Sequence, residues 1–162
     1  MSPKVKPTPR ECSVTDALTV VGDRYTLELV RELFYGNHRF VDLAAQLGAP
    51  RSVLSARLTR LVDAGVVSRR QYSERPPREE YLLTPAGRDL APVLLALKQW
   101  GDRWSRDGAQ TAEFTHVCGS LLHVDSTCAS CGEIVRFEDL TVTGGTHPPV
   151  IAGVTEAAEV AE

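Results

Sequence analysis

A mainly helical (α+β) fold with one small β-hairpin, followed by a Cys/His-rich β appendage, is what this 162-residue sequence predicts. Three observations carry the prediction. Apolar residues recur at helical spacing through most of the first hundred positions. One stretch instead reads as two β-rich segments around the Pro76-Pro77 pair. Three of the four cysteines, Cys118, Cys128 and Cys131, fall close together near the C-terminal end.

Residues 1–11, rich in Pro and Lys, are expected to form a mobile arm. Val14, Ala17, Leu18 and Val21 share one stripe and predict a short helix from Ser13 to Val21. Gly22 ends it, and Asp23 is placed to cap a second helix running to about Tyr35, with Thr26, Leu29, Val30, Leu33 and Phe34 on its inner face. After a Gly36-Asn37 turn, Phe40, Leu43, Ala44 and Leu47 repeat at helical spacing until Gly48 stops them. Pro50 suits the first turn of the next helix, whose inner stripe is Leu54, Leu58, Leu61 and Val62, and Gly65 closes it. Two short amphipathic helices separated by so few residues make a helix-turn-helix.

Val66–Tyr72 then reads as a strand and Glu79–Leu83 as its antiparallel partner. Prolines cannot donate to a ladder, so Ser73–Arg78 is read as the loop between them. A strand, a basic loop and a strand placed after a helix-turn-helix form a wing. Thr84 and Pro85 open a long helix with Leu90, Val93, Leu94, Leu97, Trp100, Gly101 and Trp104 along one side. Burying a tryptophan contributes about 2–3 kcal/mol, so two on one terminal helix point to a partner surface. We take Leu94, Leu97, Trp100 and Trp104 as a homodimer interface, the alternative being that the helix folds back on its own core. The expected organisation is therefore an arm (1–11), a winged helix-turn-helix and dimerisation domain (12–106), a ribbon-like appendage (107–140) and a disordered tail (141–162).

The net charge of −3 conceals a division. Residues 51–78 hold seven arginines against Asp63 and Glu74, a net of +5, whereas residues 107–162 hold nine acids against Arg136, a net of −8. A basic patch on an acidic chain steers a polyanion to one face, although a solvated arginine-rich surface has the same composition. No apolar run approaches the roughly 20 residues of a membrane span, and no apolar stretch follows Lys4 and Lys6 as in a secretory leader. A cytoplasmic protein without membrane contact is expected.

A helix that buries Leu54, Leu58 and Leu61 turns its other side outward. There, short polar residues flanked by arginine suit the major groove of duplex DNA, where arginine pairs with guanine and small side chains approach base edges. Arg51, Ser52, Ser55 and Arg57 are assigned to bases or adjacent phosphates and Arg60 to backbone. Arg75 and Arg78 on the wing are assigned to a flanking phosphate or the minor groove.

Over about residues 11–106 the chain resembles the HxlR-type bacterial regulators. The resemblance rests on Cys12, the Gly-Asp-Arg-Tyr-Thr turn at 22–26, Arg39-Phe40, Val53-Leu54-Ser55-Ala56-Arg57-Leu58 and Ala64-Gly65-Val66-Val67. It continues through Tyr72-Ser73-Glu74-Arg75-Pro76-Pro77 and Tyr81-Leu82-Leu83-Thr84-Pro85-Ala86-Gly87. Tyr25 departs from it, standing where such chains commonly carry tryptophan. The resemblance implies a sequence-specific DNA-binding transcriptional regulator, expected to be a repressor and not an enzyme. It also implies a homodimer, built through the N-terminal region and the long terminal helix, on a two-fold operator. Several such proteins sense oxidants or electrophiles through a cysteine near the N-terminus, which makes Cys12 the matching sensor position, the alternative being a small buried cysteine at a helix start. The effector is left open.

His116-Val117-Cys118-Gly119 and Cys128-Ala129-Ser130-Cys131-Gly132 offer metal ligands. Cys-x-x-Cys-Gly is the shape of a zinc knuckle, and structural Zn²⁺ on Cys118, Cys128, Cys131 and His116, with His123 as the alternative fourth ligand, is chemically sound. The alternatives are a redox pair of Cys128 and Cys131, or a ribbon without metal. Two other function classes stay open: a winged-helix and zinc-ribbon interaction adaptor, and a redox enzyme built on Cys128 and Cys131.

Overall fold

The computed structural model describes residues 11–106, 108 and 111–141. The expected mobile arm and disordered tail lie outside these residues, save for Glu11 and residue 141. The chain forms two compact units: Ser13–Val124, and a smaller one made of the residues up to Cys12 together with those from Asp125 onward.

The larger unit runs α1 (Ser13–Val21), α2 (Thr26–Phe34), α3 (Phe40–Leu47), α4 (Arg51–Asp63), β1 (Val67–Glu74), β2 (Pro77–Leu83), α5 (Pro85–Arg88) and α6 (Ala91–Trp104). Its core is one cluster: Leu29, Val30 and Leu33 from α2, Leu43 from α3, Leu54, Leu58 and Leu61 from α4, and Ala49, Val66 and Val67 from the connections and β1. Each fully buried leucine stabilises the fold by about 1.5–3 kcal/mol relative to exposure, so this cluster decides how the three helices meet.

Helix α2 starts later than the sequence suggests. Asp23 is not its N-cap; Tyr25 stands there instead, in the left-handed region at φ 71°, and offers no side-chain cap. Glu32 is buried on the same helix, which its polarity did not predict. It is satisfied locally: Arg31 Nη2 donates to one carboxylate oxygen at 2.7 Å, and Asn37 Nδ2 donates to the other at 2.7 Å. Helix α3 has the expected bounds, and Gly48 follows it at φ 59°, a conformation only glycine adopts without strain.

The hairpin is longer than anticipated. Antiparallel pairing runs from Val67 opposite Leu83 to Glu74 opposite Pro77, with an irregularity between Gln71 and Ser73. The region read as a loop is mostly ladder, and only Arg75-Pro76 turns. Pro77 enters the strand at its first residue, where a missing donor is tolerated. The hairpin joins the helices through an isolated bridge between Arg39 and Glu80 and a bond from Tyr81 N–H to the His38 carbonyl at 2.8 Å.

Thr84 locks the hairpin to α5. Its hydroxyl lies 2.6 Å from the Gly65 carbonyl, and its Oγ1 accepts from the Gly87 N–H at 3.2 Å, capping α5 as the sequence indicated. A Cβ at position 87 would collide with the Val66 carbonyl oxygen, so the Thr84-Pro85-Ala86-Gly87 run is a close backbone joint. The predicted single long helix is two: α5 ends at Arg88, and α6 begins at Ala91 with Pro92 in its first turn, where the missing N–H breaks no helical bond.

Beyond α6, the β structure expected of the appendage reduces to isolated bridges, Thr115 with Leu121 and Thr127 with Ile134. A 3₁₀ turn at Phe137–Asp139 closes the described chain. Within the larger unit, Phe114 stacks on Tyr35 at 6.4 Å, and Gln99 exchanges two hydrogen bonds with the Val124 backbone.

Two substitutions test this account by chemical denaturation. Leu54→Ala removes the centre of the core and is expected to cost about 2–5 kcal/mol. Gly87→Ala forces a methyl onto the Val66 carbonyl and is expected to cost about 1–3 kcal/mol, without changing the far-UV spectrum of the folded state.

Candidate nucleic-acid interface

Helix α4 buries Leu54, Leu58 and Leu61 and leaves Arg51, Ser52, Ser55, Ala56, Thr59 and Arg60 exposed. The outward face therefore carries hydroxyls and a methyl between two arginines, as its leucine period dictates. With 13 residues it is about 20 Å long and, side chains included, about 10–12 Å across, which fits a major groove about 12 Å wide. An open groove of about 850 Å³ lies beside this face, flanked by Thr19 and Val20 of α1 and by Ser52, Ser55 and Thr59 of α4.

The arginines divide by their partners. At the N-terminal end, the Arg51 guanidinium lies 4.8 Å from the Phe40 ring centroid, so the ring of α3 props it outward. Arg57 and Arg60 share one carboxylate: Asp23 Oδ2 is 2.5 Å from Arg60 Nη1 and 3.1 Å from Arg57 Nη1. Arg57 Nε also donates to the Arg24 carbonyl at 3.4 Å. These groups are partly exposed, so each pair adds at most about 1 kcal/mol of stability. Their main effect is positional, since the α1–α2 turn fixes two guanidinium groups along the flank of α4. Arg57 is thus a flank group held toward the turn.

On the wing, Arg75 and Arg78 are exposed and make no ion pair among the described residues. The ladder around them holds its charges more closely: Arg70 pairs with Glu80 at 2.6 Å, and Arg69 reaches Thr59 of α4 at 3.4 Å. The Arg39 guanidinium stacks 4.8 Å over Tyr72, at the irregular point of β1. Sequence reasoning did not single out Asp23 as the partner of two arginines, nor Arg39 and Arg69 as struts of the hairpin. The dense charge of the Gly-Asp-Arg-Tyr turn was the available signal for the first.

A second surface is apolar. Leu90 and Leu94 pack toward the core, whereas Val93, Leu97, Trp100 and Trp104 are 48%, 53%, 59% and 65% exposed. Their spacing of four, three and four residues makes a continuous seam along α6. Leu94 therefore differs from Leu97, Trp100 and Trp104 in facing inward. On α1, Val14 and Leu18 are 66% and 55% exposed, so these two residues of its apolar stripe face out.

Cys12 is half-buried just before α1, while Cys118, Cys128 and Cys131 are exposed. His116, Cys118 and His123 belong to the larger unit and Cys128 and Cys131 to the smaller. Among the described residues, no group of three or more His, Cys, Asp or Glu side chains is placed to hold a metal ion. Among the same residues, no helix is long and apolar enough to cross a membrane.

Known proteins share this architecture. An uncharacterised helix-turn-helix transcriptional regulator of Mycobacterium tuberculosis is 42% identical over 135 residues, covering 82% of this chain and 85% of the relative. The redox regulator HypR in its reduced form superposes with a TM-score of 0.55 at 30% identity, covering 60% of this chain and 100% of that one. A candidate transcription factor of Pseudomonas aeruginosa, PA1374, superposes with a TM-score of 0.59 at 29% identity, covering 85% and 94%. The profile of the HxlR-like helix-turn-helix family matches residues 20–109, more than half of the chain, in the region that carries α2 to α6. With the helix-turn-helix, the wing and these relatives in agreement, the chain belongs to the HxlR-like helix-turn-helix family of transcriptional regulators.

Proposed function

We propose that this protein is a homodimeric, sequence-specific DNA-binding regulator that reads base edges with the outward face of α4 and grips flanking backbone with its wing. The observation that carries the reading is the division of α4. Leu54, Leu58 and Leu61 are buried, so Arg51, Ser52, Ser55, Ala56 and Thr59 lie on the exposed side of the helix, where a ligand can meet them. Arg57 and Arg60 line the flank at positions set by Asp23, and Arg75 and Arg78 extend the positive charge from the hairpin tip. Base contacts then supply specificity and the arginines register and affinity.

Titration of duplexes from the protein's own upstream region tests the reading. Binding is expected to resist random competitor and to weaken steeply with salt. Each of Arg75→Ala and Arg78→Ala should lower the slope of log affinity against log salt by about 1 if that arginine neutralises one phosphate. A duplex bound no better than scrambled DNA at moderate salt contradicts the proposal.

Asp23 makes a sharper prediction. Asp23→Asn removes the charge that anchors Arg57 and Arg60, leaving both guanidinium groups to search for phosphates. Affinity for random duplex is expected to rise while the ratio of specific to random affinity falls, with stability changed by about 1 kcal/mol or less. A parallel change in both affinities would show that the carboxylate only adjusts net charge.

The exposed seam of α6 and the outward stripe of α1 support the dimer, since Trp100 and Trp104 in water would forfeit most of the stabilisation their burial offers. Leu97→Asp combined with Trp100→Asp is expected to leave the helical content of the monomer intact. Sedimentation should then report a single chain, and affinity for a two-fold operator should fall. A dimer surviving both changes places the interface elsewhere.

A further inference from the structure

The segment from 125 to 141 has a definite shape and no interior: every one of its residues is exposed, including Ile134, Val135 and Phe137 at 51%, 37% and 83%. Hydrophobic burial therefore does not hold it. What the backbone does hold is one tight loop. The Thr127–Ile134 bridge closes its base, Cys128 N–H donates to the Glu133 carbonyl at 2.8 Å, and Gly132 N–H donates to the Cys128 carbonyl at 2.8 Å. Gly132 takes φ 77°, which lets the chain turn immediately after Cys131. The backbone N–H groups of Cys131 and Ser130 point at the Cys128 sulfur. Amides directed at a cysteine sulfur stabilise a thiolate and not a thiol, and a thiolate is the form that ligates metal.

The same construction occurs once more, in the larger unit. The Thr115–Leu121 bridge closes a loop in which His116 N–H donates to the Ser120 carbonyl at 2.9 Å and Gly119 N–H to the His116 carbonyl at 2.8 Å. Gly119 stands at φ 87° directly after Cys118, the Ser120 N–H points at the Cys118 sulfur, and His116 Nδ1 lies 3.3 Å from Cys118 Sγ. Two loops of unrelated sequence share a bridge, a positive-φ glycine after a cysteine and an amide aimed at the sulfur. That combination serves no packing purpose at an exposed position.

We propose that the Cys128–Cys131 loop is a zinc-binding half-site in which both thiolates ligate one Zn²⁺, and that metal binding supplies the folding energy this segment lacks. The two thiols lose their protons to solvent as the Zn–S bonds form, with no change of oxidation state. Sulfur donors select zinc over the hard cations, and four-coordination leaves two positions for further donors. A pair of thiolates on one tight loop suits a structural ion.

The full chain, purified under reducing conditions from zinc-supplied cells and dialysed against zinc-free buffer, is assayed for metal content by mass spectrometry. One zinc per chain is expected in the unmodified protein, and at least a tenfold loss in each of Cys128→Ser and Cys131→Ser. Loading the unmodified protein with Co²⁺ gives a second readout that needs no variant, a thiolate-to-cobalt charge-transfer band in the near ultraviolet. Trypsin gives a third, as cleavage after Arg136 should accelerate when a chelator is added. Sub-stoichiometric zinc without a charge-transfer band, or full zinc in both serine variants, overturns the proposal.

Discussion

The rest of the molecule depends on the burial of three leucines on α4. Leu54, Leu58 and Leu61 are essentially inaccessible, and they meet Leu29, Val30 and Leu33 of α2 and Leu43 of α3 in one cluster. A helix turns about 100° per residue, so burying this stripe determines which side chains face out. No polar contact is needed to orient α4. Its outward face consists of the residues the core does not use, so a packing constraint also sets what this surface offers a ligand. A slip of one residue would bury Ser55 or Arg57 in place of a leucine, and the cost of an unpaired buried polar group forbids it.

Two further constraints place charge around that face. The joint formed by Gly65, Val66, Thr84 and Gly87 ties the end of α4 to the end of the hairpin, so the wing leaves the helix in a fixed direction. Asp23 acts on the other flank. One carboxylate facing two guanidinium groups leaves a net positive charge while fixing where it lies, and this suits a polyanion better than two freely moving arginines would. The apolar seam of α6 belongs to the same design. Leu90 and Leu94 hold the helix to the core, while Val93, Leu97, Trp100 and Trp104 stay exposed.

Much of this was legible in the sequence, because strong periodicity and glycine punctuation reflect the core directly. Helices α1 and α3 have the bounds their apolar spacing and their terminal glycines imply, and the inner stripe of α4 is the expected one save for Val62, which is only partly buried. Errors arose where a residue had two possible partners. Asp23 has the chemistry of an N-cap, but two arginines of α4 compete for its carboxylate and win. Pro76-Pro77 signalled a loop, yet proline at the first position of a strand costs the ladder nothing. Pro92 was absorbed into one long helix, although it marks the start of a second. The stripe of α1 gave no means of telling a buried face from an exposed apolar one, since both have the same period. Near the C-terminal cysteines the expected β appendage holds only single bridges, because a segment without buried side chains has little to sustain a ladder.

Selection of preferred sites from randomised duplexes, using the unmodified protein and a variant altered only at Ser52, Ser55 and Ala56, tests the central claim most directly. These residues are exposed and lie outside the core and the α6 seam, so the variant should fold and assemble as before. The account predicts that its preferred bases change within each half-site while the spacing of the half-sites does not. An unchanged base preference would contradict the assignment of base reading to the outward face of α4.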